Sequence, residues 1–201
     1  MKKYIFLGSS VTYGSAAGGY SFVDMLAEKN QIDCIKEAVS GTTLVDNGPD
    51  SYVQRMIHNL DKEMECEKFV CQLSTNDAAQ SMPFGAISVS TKLEAFDTST
   101  IIGAIEYIIC YARTTWQCPV TFYTNTYYDN KNYQKMVAIM YQLKEKWNIG
   151  LIDLWNSREM REIEKSKYDM YMADVIHPTE LGYREWWLPV FEKYFKLKEF
   201  K

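Results

Sequence analysis

Along this chain, short apolar runs alternate with longer stretches in which apolar residues recur every three or four positions. Five runs have the length and composition of strands: Lys3–Leu7, Asp33–Val39, Lys68–Leu73, Val120–Thr124 and Gly150–Leu154. The amphipathic stretches predict helices over Ser21–Lys29, Ser51–Met64, Thr98–Thr115, Asn132–Trp147, Ser157–Lys167 and Glu180–Phe195. In the fourth of these, Tyr133, Met136, Val137, Met140, Tyr141, Leu143 and Trp147 fall on one face. In the last, Tyr183, Trp186, Trp187, Val190, Phe191, Tyr194 and Phe195 form an aromatic stripe read as core, and Pro189 is expected to kink the helix or end its first half. Strand–helix alternation of this kind predicts a parallel sheet covered by helices on both faces. No repeat, low-complexity tract or linker divides the chain, so residues 1–201 are read as one α/β domain.

One segment breaks the alternation. Residues 77–97, "DAAQSMPFGAISVSTKLEAFD", follow the third strand without a strong helical period. Long irregular connections inside compact domains tend to be functional, so this insertion is a candidate lid or substrate wall as well as a candidate surface loop.

Composition narrows the class. With 47% apolar residues the chain is not disordered, and a net charge of −4 argues against nucleic acid as a partner. The five cysteines, Cys34, Cys66, Cys71, Cys110 and Cys118, are scattered and include no CxxC pair, which points to reduced thiols rather than a zinc site or disulfide frame. The basic start, Met1-Lys2-Lys3, is followed by too short an apolar run for a signal peptide. No stretch reaches the roughly 18 apolar residues of a spanning helix. The expectation is a soluble, cytoplasmic protein without membrane insertion.

In open α/β sheets the reactive groups gather at the carboxyl ends of the strands. After the first strand comes Gly8-Ser9-Ser10-Val11-Thr12-Tyr13-Gly14, and after the second Ser40-Gly41-Thr42-Thr43. Ser74-Thr75-Asn76-Asp77 follows the third, and Asp174-Val175-Ile176-His177 stands ahead of the last helix. A serine hydroxyl needs a base to become a nucleophile. Only two histidines are available. His58 lies inside a predicted helix, where a structural or surface role is expected, whereas His177 sits in a loop three residues after Asp174. That carboxylate can hold the imidazole in one tautomer. An oxyanion formed on an ester needs preorganised donors, and the Ser10 backbone N–H, the Gly41 N–H and the Asn76 side-chain amide can supply them.

These four blocks resemble those of the SGNH hydrolases, the GDSL-type esterases and lipases. The family's GDSxTxG matches Gly8 to Gly14 with Ser9 in place of aspartate. Its second-block glycine falls on Gly41, its GxND on Ser74 to Asp77 with Ser74 in place of glycine, and its DxxH on Asp174 to His177. The blocks run in the family's order from Lys3 to about the chain's end. The resemblance implies Ser10 as nucleophile, His177 as base, Asp174 as its orienting partner, and Ser10, Gly41 and Asn76 as the oxyanion hole. It also implies a flavodoxin-like three-layer α/β/α sandwich with strand order 2-1-3-4-5, and neither metal nor cofactor. Ser9 and Ser74 leave open a weakly catalytic, ligand-binding member.

A nucleotide binder fits less well, because the first loop has neither GxGxxG nor GxxxxGK[ST]. A non-enzymatic interaction module on the same fold, an acyltransferase, a lysophospholipase and a thioesterase stay open beside the esterase. No long apolar cap for a fatty chain is visible, and "YTNTYYDNKN" (Tyr123–Asn132) is rich in stacking and hydrogen-bonding groups. The expected partner is therefore a small-molecule acyl ester, short-chain or carried on a carbohydrate.

Overall fold

Strand β1 (Lys3–Gly8) shows how the chain builds two cores at once. In the computed structural model, which describes residues 3–197, Ile5 and Leu7 enter one buried cluster while Tyr4 and Phe6 enter another. Successive side chains of a strand point to opposite faces, so a continuous apolar run requires cover on both sides. The same division recurs at Phe69 and Val70, and at Phe122 and Tyr123.

Strands β1, β2 (Asp33–Ala38), β3 (Lys68–Gln72), β4 (Val120–Tyr123) and β5 (Gly150–Ile152) form one parallel sheet in the order β2-β1-β3-β4-β5. Leu7 stands opposite both Glu37 and Cys71, so the carboxyl ends of the three strands nearest the site are level. The helices are α1 (Ser10–Tyr13), α2 (Phe22–Asn30), α3 (Tyr52–His58), α4 (Thr75–Ala79), α5 (Ile101–Thr115), α6 (Lys131–Trp147), α7 (Arg158–Arg161), α8 (Lys165–Tyr171), α9 (Glu180–Gly182) and α10 (Leu188–Phe195). Residues of α3, α5 and α6 fill the Ile5/Leu7 core, and those of α2 and α10 the Tyr4/Phe6 core. The result is a single three-layer α/β/α domain, as the alternation predicts. No helix among the described residues is long and apolar enough to cross a membrane.

Three helices depart from expectation. The helix predicted over Ser51–Met64 ends at His58, where Asn59 takes over as C-cap and its N–H bonds Arg55 O. The one predicted over Ser157–Lys167 is two short helices, α7 and α8, separated by Glu162, Ile163 and Glu164. The terminal helix does not stop at Pro189. A π-helical segment, Tyr183–Trp187, precedes α10, and the Leu188 N–H bonds Tyr183 O one residue further back than an α-helix would. Pro189 has no N–H to offer, and the wider turn absorbs the loss.

The 77–97 segment is strapped down along α5 and α6. The Ile101 and Ile102 N–H groups bond Pro83 O and Phe84 O, Ser88 N–H bonds the Glu106 carboxylate, and Lys146 Nζ reaches Ser88 O and Ser90 O. Met82, Phe84, Ile87 and Leu93 pack against the Ile5/Leu7 core. The segment is better described as part of the helical layer than as a lid.

Candidate active site

Ser10 opens α1 immediately beyond β1. Gly8 makes that sharp entry possible: a Cβ there would fall 1.7 Å from Thr12 Oγ1 and 2.8 Å from Gln72 Oε1. Gln72, at the end of β3, acts as a clamp. Its buried Oε1 accepts the Ser9 N–H at 2.9 Å, the Thr12 N–H at 3.3 Å and the Thr12 hydroxyl at 2.7 Å. The Ser9 hydroxyl joins the same oxygen at 3.5 Å, so the serine standing where the family pattern has aspartate bonds across the loop, as a hydroxyl can.

His177 arrives on a loop that its own backbone pinches shut. The Ala173 N–H bonds His177 O at 2.9 Å, and Met172 bridges Pro178 antiparallel. Asp174 Oδ1 accepts the Ile176 and His177 N–H groups at 2.7 and 2.8 Å, and Asp174 Oδ2 lies 2.8 Å from His177 Nδ1. On the other side of the ring, His177 Nε2 is 2.8 Å from Ser10 Oγ. An ionised carboxylate can only accept, so Nδ1 carries the proton and, in the neutral ring, Nε2 is left to accept from the serine hydroxyl. Burial alone would push the Asp174 carboxyl up. The hydrogen bonds from the His177 ring and the two amides outweigh it and hold the group below the usual carboxylate range.

The remaining candidates stand on the next two loops. Asn76 donates Nδ2–H to Thr42 O at 2.8 Å, which ties it to the carbonyl of the residue after Gly41 and leaves its second N–H. Gly41 is exposed, with φ +82°, the left-handed region that disfavours side chains; a Cβ there would touch nothing within 4 Å. The glycine therefore answers a backbone requirement rather than a crowded one. Ser74 does not crowd Asn76. It is the N-cap of α4, fully buried, with Oγ accepting the Asn76 N–H at 3.1 Å and the Asp77 N–H at 3.4 Å. The structure thus joins Ser10, His177 and Asp174 directly, and links Asn76 to the Gly41 loop through Thr42.

Two residues that fasten the site were not singled out from the sequence. Asp77, fully buried, accepts the Leu44 N–H at 2.8 Å and the Val45 N–H at 3.0 Å, holding the Gly41 loop against α4; burial pushes its carboxyl up. Arg55 is buried beneath the same rim. Its guanidinium donates to Gly8 O (2.8 Å), Glu37 O and Oε1 (3.0 Å each), Asp50 O (2.9 Å) and Thr42 Oγ1 (3.1 Å). It stitches the ends of β1 and β2 to the Gly41 loop. An arginine between Tyr52, Val53 and Met56, on the apolar face of a helix, was the available signal. His58, by contrast, is exposed at the end of α3.

The segment Tyr123–Asn132 divides. Tyr123 is core, Asn130 caps α6, and Asn132 bonds Ala78 O, whereas Thr126, Tyr127, Tyr128 and Asp129 line a cavity beside the His177 loop. Among the described residues, no group of three or more His, Cys, Asp or Glu side chains is placed to hold a metal ion.

The family model for GDSL-like lipase/acylhydrolase proteins matches residues 6–185. No curated protein matches the chain in sequence. Among solved structures, a protein from Lactobacillus plantarum superposes with a TM-score of 0.78 at 17% identity, over 97% of this chain and 96% of that one. A protein named for the G-D-S-L lipolytic family, from Desulfitobacterium hafniense, gives 0.70 at 14% identity over 98% and 100% of the two chains. A family two carbohydrate esterase from Clostridium thermocellum, solved with cellohexaose, gives 0.67 at 13% identity over 98% of this chain and 65% of that chain. At such identities the likeness of structure establishes the fold.

Proposed function

Since the chain belongs to the GDSL-like lipase/acylhydrolase family, we propose that it is a serine esterase acting on short-chain or carbohydrate acyl esters, with Ser10 as nucleophile. The observation that carries this reading is the 2.8 Å contact between Ser10 Oγ and His177 Nε2, with Asp174 on the far nitrogen of the ring. As Ser10 Oγ attacks the ester carbonyl carbon, its proton passes to His177 Nε2. The carbonyl oxygen becomes an oxyanion facing the N–H groups of Ser10 and Gly41 and the second N–H of Asn76. Collapse of this intermediate expels the alcohol, which takes the proton back from Nε2 and leaves an acyl-Ser10 ester. Water, deprotonated by the same nitrogen, then releases the acid and restores the hydroxyl. Asp174 stabilises the imidazolium at both steps. No step calls for a metal or cofactor.

Two observations favour a short acyl group or a sugar ester over a long-chain lipid. The one segment long enough to fold into an acyl-holding cap, 77–97, is fastened to α5 and α6. A carbohydrate esterase stands among the proteins of the same fold. The test is labelling by a fluorophosphonate, expected on Ser10 and lost in Ser10→Ala, together with turnover of p-nitrophenyl acetate exceeding that of the palmitate. Equal or better turnover of the palmitate overturns the short-chain assignment, and absence of labelling overturns the nucleophile.

A further inference from the structure

Where β3 and β4 begin, at the end of the sheet opposite Ser10, two cysteines meet. Cys66 stands two residues before β3, and Cys118 two residues before β4. The Phe69 N–H bonds Pro119 O at 3.0 Å and Phe69 pairs with Val120, so the two strand entries run side by side. Counting back along that register, Cys118 falls opposite Glu67, the chain neighbour of Cys66. In a regular strand Cys66 and Phe69 would point to opposite faces. The chain bends at Glu67, however, and Cys66 packs against the same Ile5/Leu7 core that holds Phe69 and Cys118. There the two thiols are hydrogen-bonded to one another.

This pair differs from the other three cysteines. Burial pushes the thiols of Cys34, Cys71 and Cys110 up, that of Cys34 to about 12. Cys66 is instead pulled below the ordinary thiol value. The hydrogen bond with Cys118 is the main cause, burial opposes it, and backbone hydrogen bonds at Ile5 and Lys68 and the Lys3 charge assist. The same contact pushes Cys118 up, so Cys118 is the partner that keeps its proton. Exposure divides the pair in the same sense: Cys66 is partly exposed and Cys118 is buried. An accessible thiol with thiolate character, set beside a second thiol, is the arrangement that oxidants attack and a neighbour resolves.

We propose that Cys66 and Cys118 form an oxidative modification site, a dithiol in which Cys66 reacts first with a hydroperoxide and Cys118 closes the disulfide. The Cys66 thiolate attacks one oxygen of hydrogen peroxide, the O–O bond breaks, and the departing hydroxide takes up the proton that Cys66 had released. Cys66 is left as a sulfenic acid. The Cys118 sulfur then attacks the Cys66 sulfur, and the sulfenic oxygen leaves as water with the Cys118 proton. Two thiols are thereby oxidised by two electrons, and one peroxide is reduced to two waters. The disulfide would join the entries of β3 and β4 without touching Ser10, Asp174 or His177, and the proposal stands independently of the esterase reading.

The test treats the reduced, folded wild type with a small molar excess of hydrogen peroxide, digests it without reductant and maps the peptides by mass spectrometry. The expected product is one cross-linked pair joining Cys66 to Cys118, lighter by two hydrogens than the separate peptides and released by dithiothreitol. Cys34, Cys71 and Cys110 should remain thiols, with Cys66 oxidised at least about tenfold faster than Cys34. In Cys118→Ser the reaction should stop at the sulfenic acid, which dimedone traps on Cys66. In Cys66→Ser, Cys118 should stay reduced. Over-oxidation of wild-type Cys66 without a cross-link overturns the proposal, as does a disulfide to any other cysteine or one that forms only after unfolding in urea. Dimedone captured on Cys118 rather than Cys66 overturns the order of the two steps, and the assigned roles with it.

Discussion

Asp174 and Asp77 each accept two backbone N–H groups from a loop of the site, yet the Asp174 side chain is 55% exposed while Asp77 is wholly buried. Asp174 acts within its own loop, two and three residues away, and in addition holds the His177 ring. Asp77 reaches across 32 and 33 residues to Val45 and Leu44, and touches no reacting group. The half of the site proposed to move protons is thus a self-contained surface loop whose geometry is written into its own short spacing. The half proposed to hold the oxyanion has no such autonomy. Its exposed backbone, at Gly41, stays in place through a buried carboxylate, the Arg55 guanidinium and the Ser74 cap.

The largest effect should come from the proton-moving half. Ser10→Ala and His177→Ala are each expected to lower kcat on p-nitrophenyl acetate by on the order of 10⁵–10⁶-fold, and the double variant little further, because the pair acts as a unit. Losses that add would dissolve that half into independent contributors. Asp174→Asn should cost on the order of 10⁴-fold, since the amide allows the wrong tautomer; a loss under about tenfold would reduce Asp174 to a loop staple like Asp77. On the other half, Asn76→Ala should lower kcat by on the order of 10²–10³-fold through loss of one oxyanion donor. If KM rises instead with kcat unchanged, Asn76 serves ground-state binding.

The same contrast explains what could be read in advance. All five strands lie within the predicted runs, save that β1 extends to Gly8; β1, β3 and β4 do so because a strand buried on both faces is continuously apolar, whereas the edge strand β2, with Asp33, Lys36 and Glu37, is only partly buried. Ser10, Asp174 and His177 were legible because Ser10 follows directly on the end of β1, and the three-residue offset from Asp174 to His177 already carries the hydrogen bond. Asp77 and Arg55 were not. Their partners are backbone groups of remote loops, and no local pattern states which loop a buried carboxylate will meet. The π-helical turn at Tyr183–Trp187 was hidden for a related reason: Pro189 shows that one helical hydrogen bond is missing, but packing decides whether the chain breaks there or widens its turn. The aromatic stripe was rightly read as core at Tyr183, Trp187 and Phe191, which are fully buried around Phe22, while Trp186 from the same stripe lines the cavity.

Removing the buried carboxylate should tell first in stability. Asp77→Ala leaves the Leu44 and Val45 N–H groups without their acceptor in the interior, which is expected to cost about 1–3 kcal/mol per group in urea unfolding. Activity of the folded fraction should fall less than in Asn76→Ala. A catalytic loss as large as that of Ser10→Ala would give Asp77 a direct part in the reaction.

The smallest effect is the most discriminating, because the two carboxylates should tilt stability against pH in opposite directions. Stability rises with pH wherever the unfolded chain binds more protons than the folded one. Asp174 is held below the ordinary carboxylate value, so its stabilisation is complete above that value and is lost as pH falls through its lowered folded value. Asp77 is pushed up by burial, so between the ordinary value and its raised folded value the native protein holds the extra proton. Stability contributed there declines as pH rises through that window. Urea unfolding of the wild type, Asp174→Asn and Asp77→Asn across about pH 3–7, which brackets the carboxylate range, reads both slopes. The stability of the wild type relative to Asp174→Asn should grow as pH rises through the lower part of the range. Relative to Asp77→Asn it should shrink as pH rises through the upper part, whatever offset the amide introduces by presenting one oxygen where the carboxylate presents two. Two slopes of the same sign would mean that Asp77 is held by its two amides more strongly than it is penalised by burial, and the two halves of the site would then be anchored by the same physics.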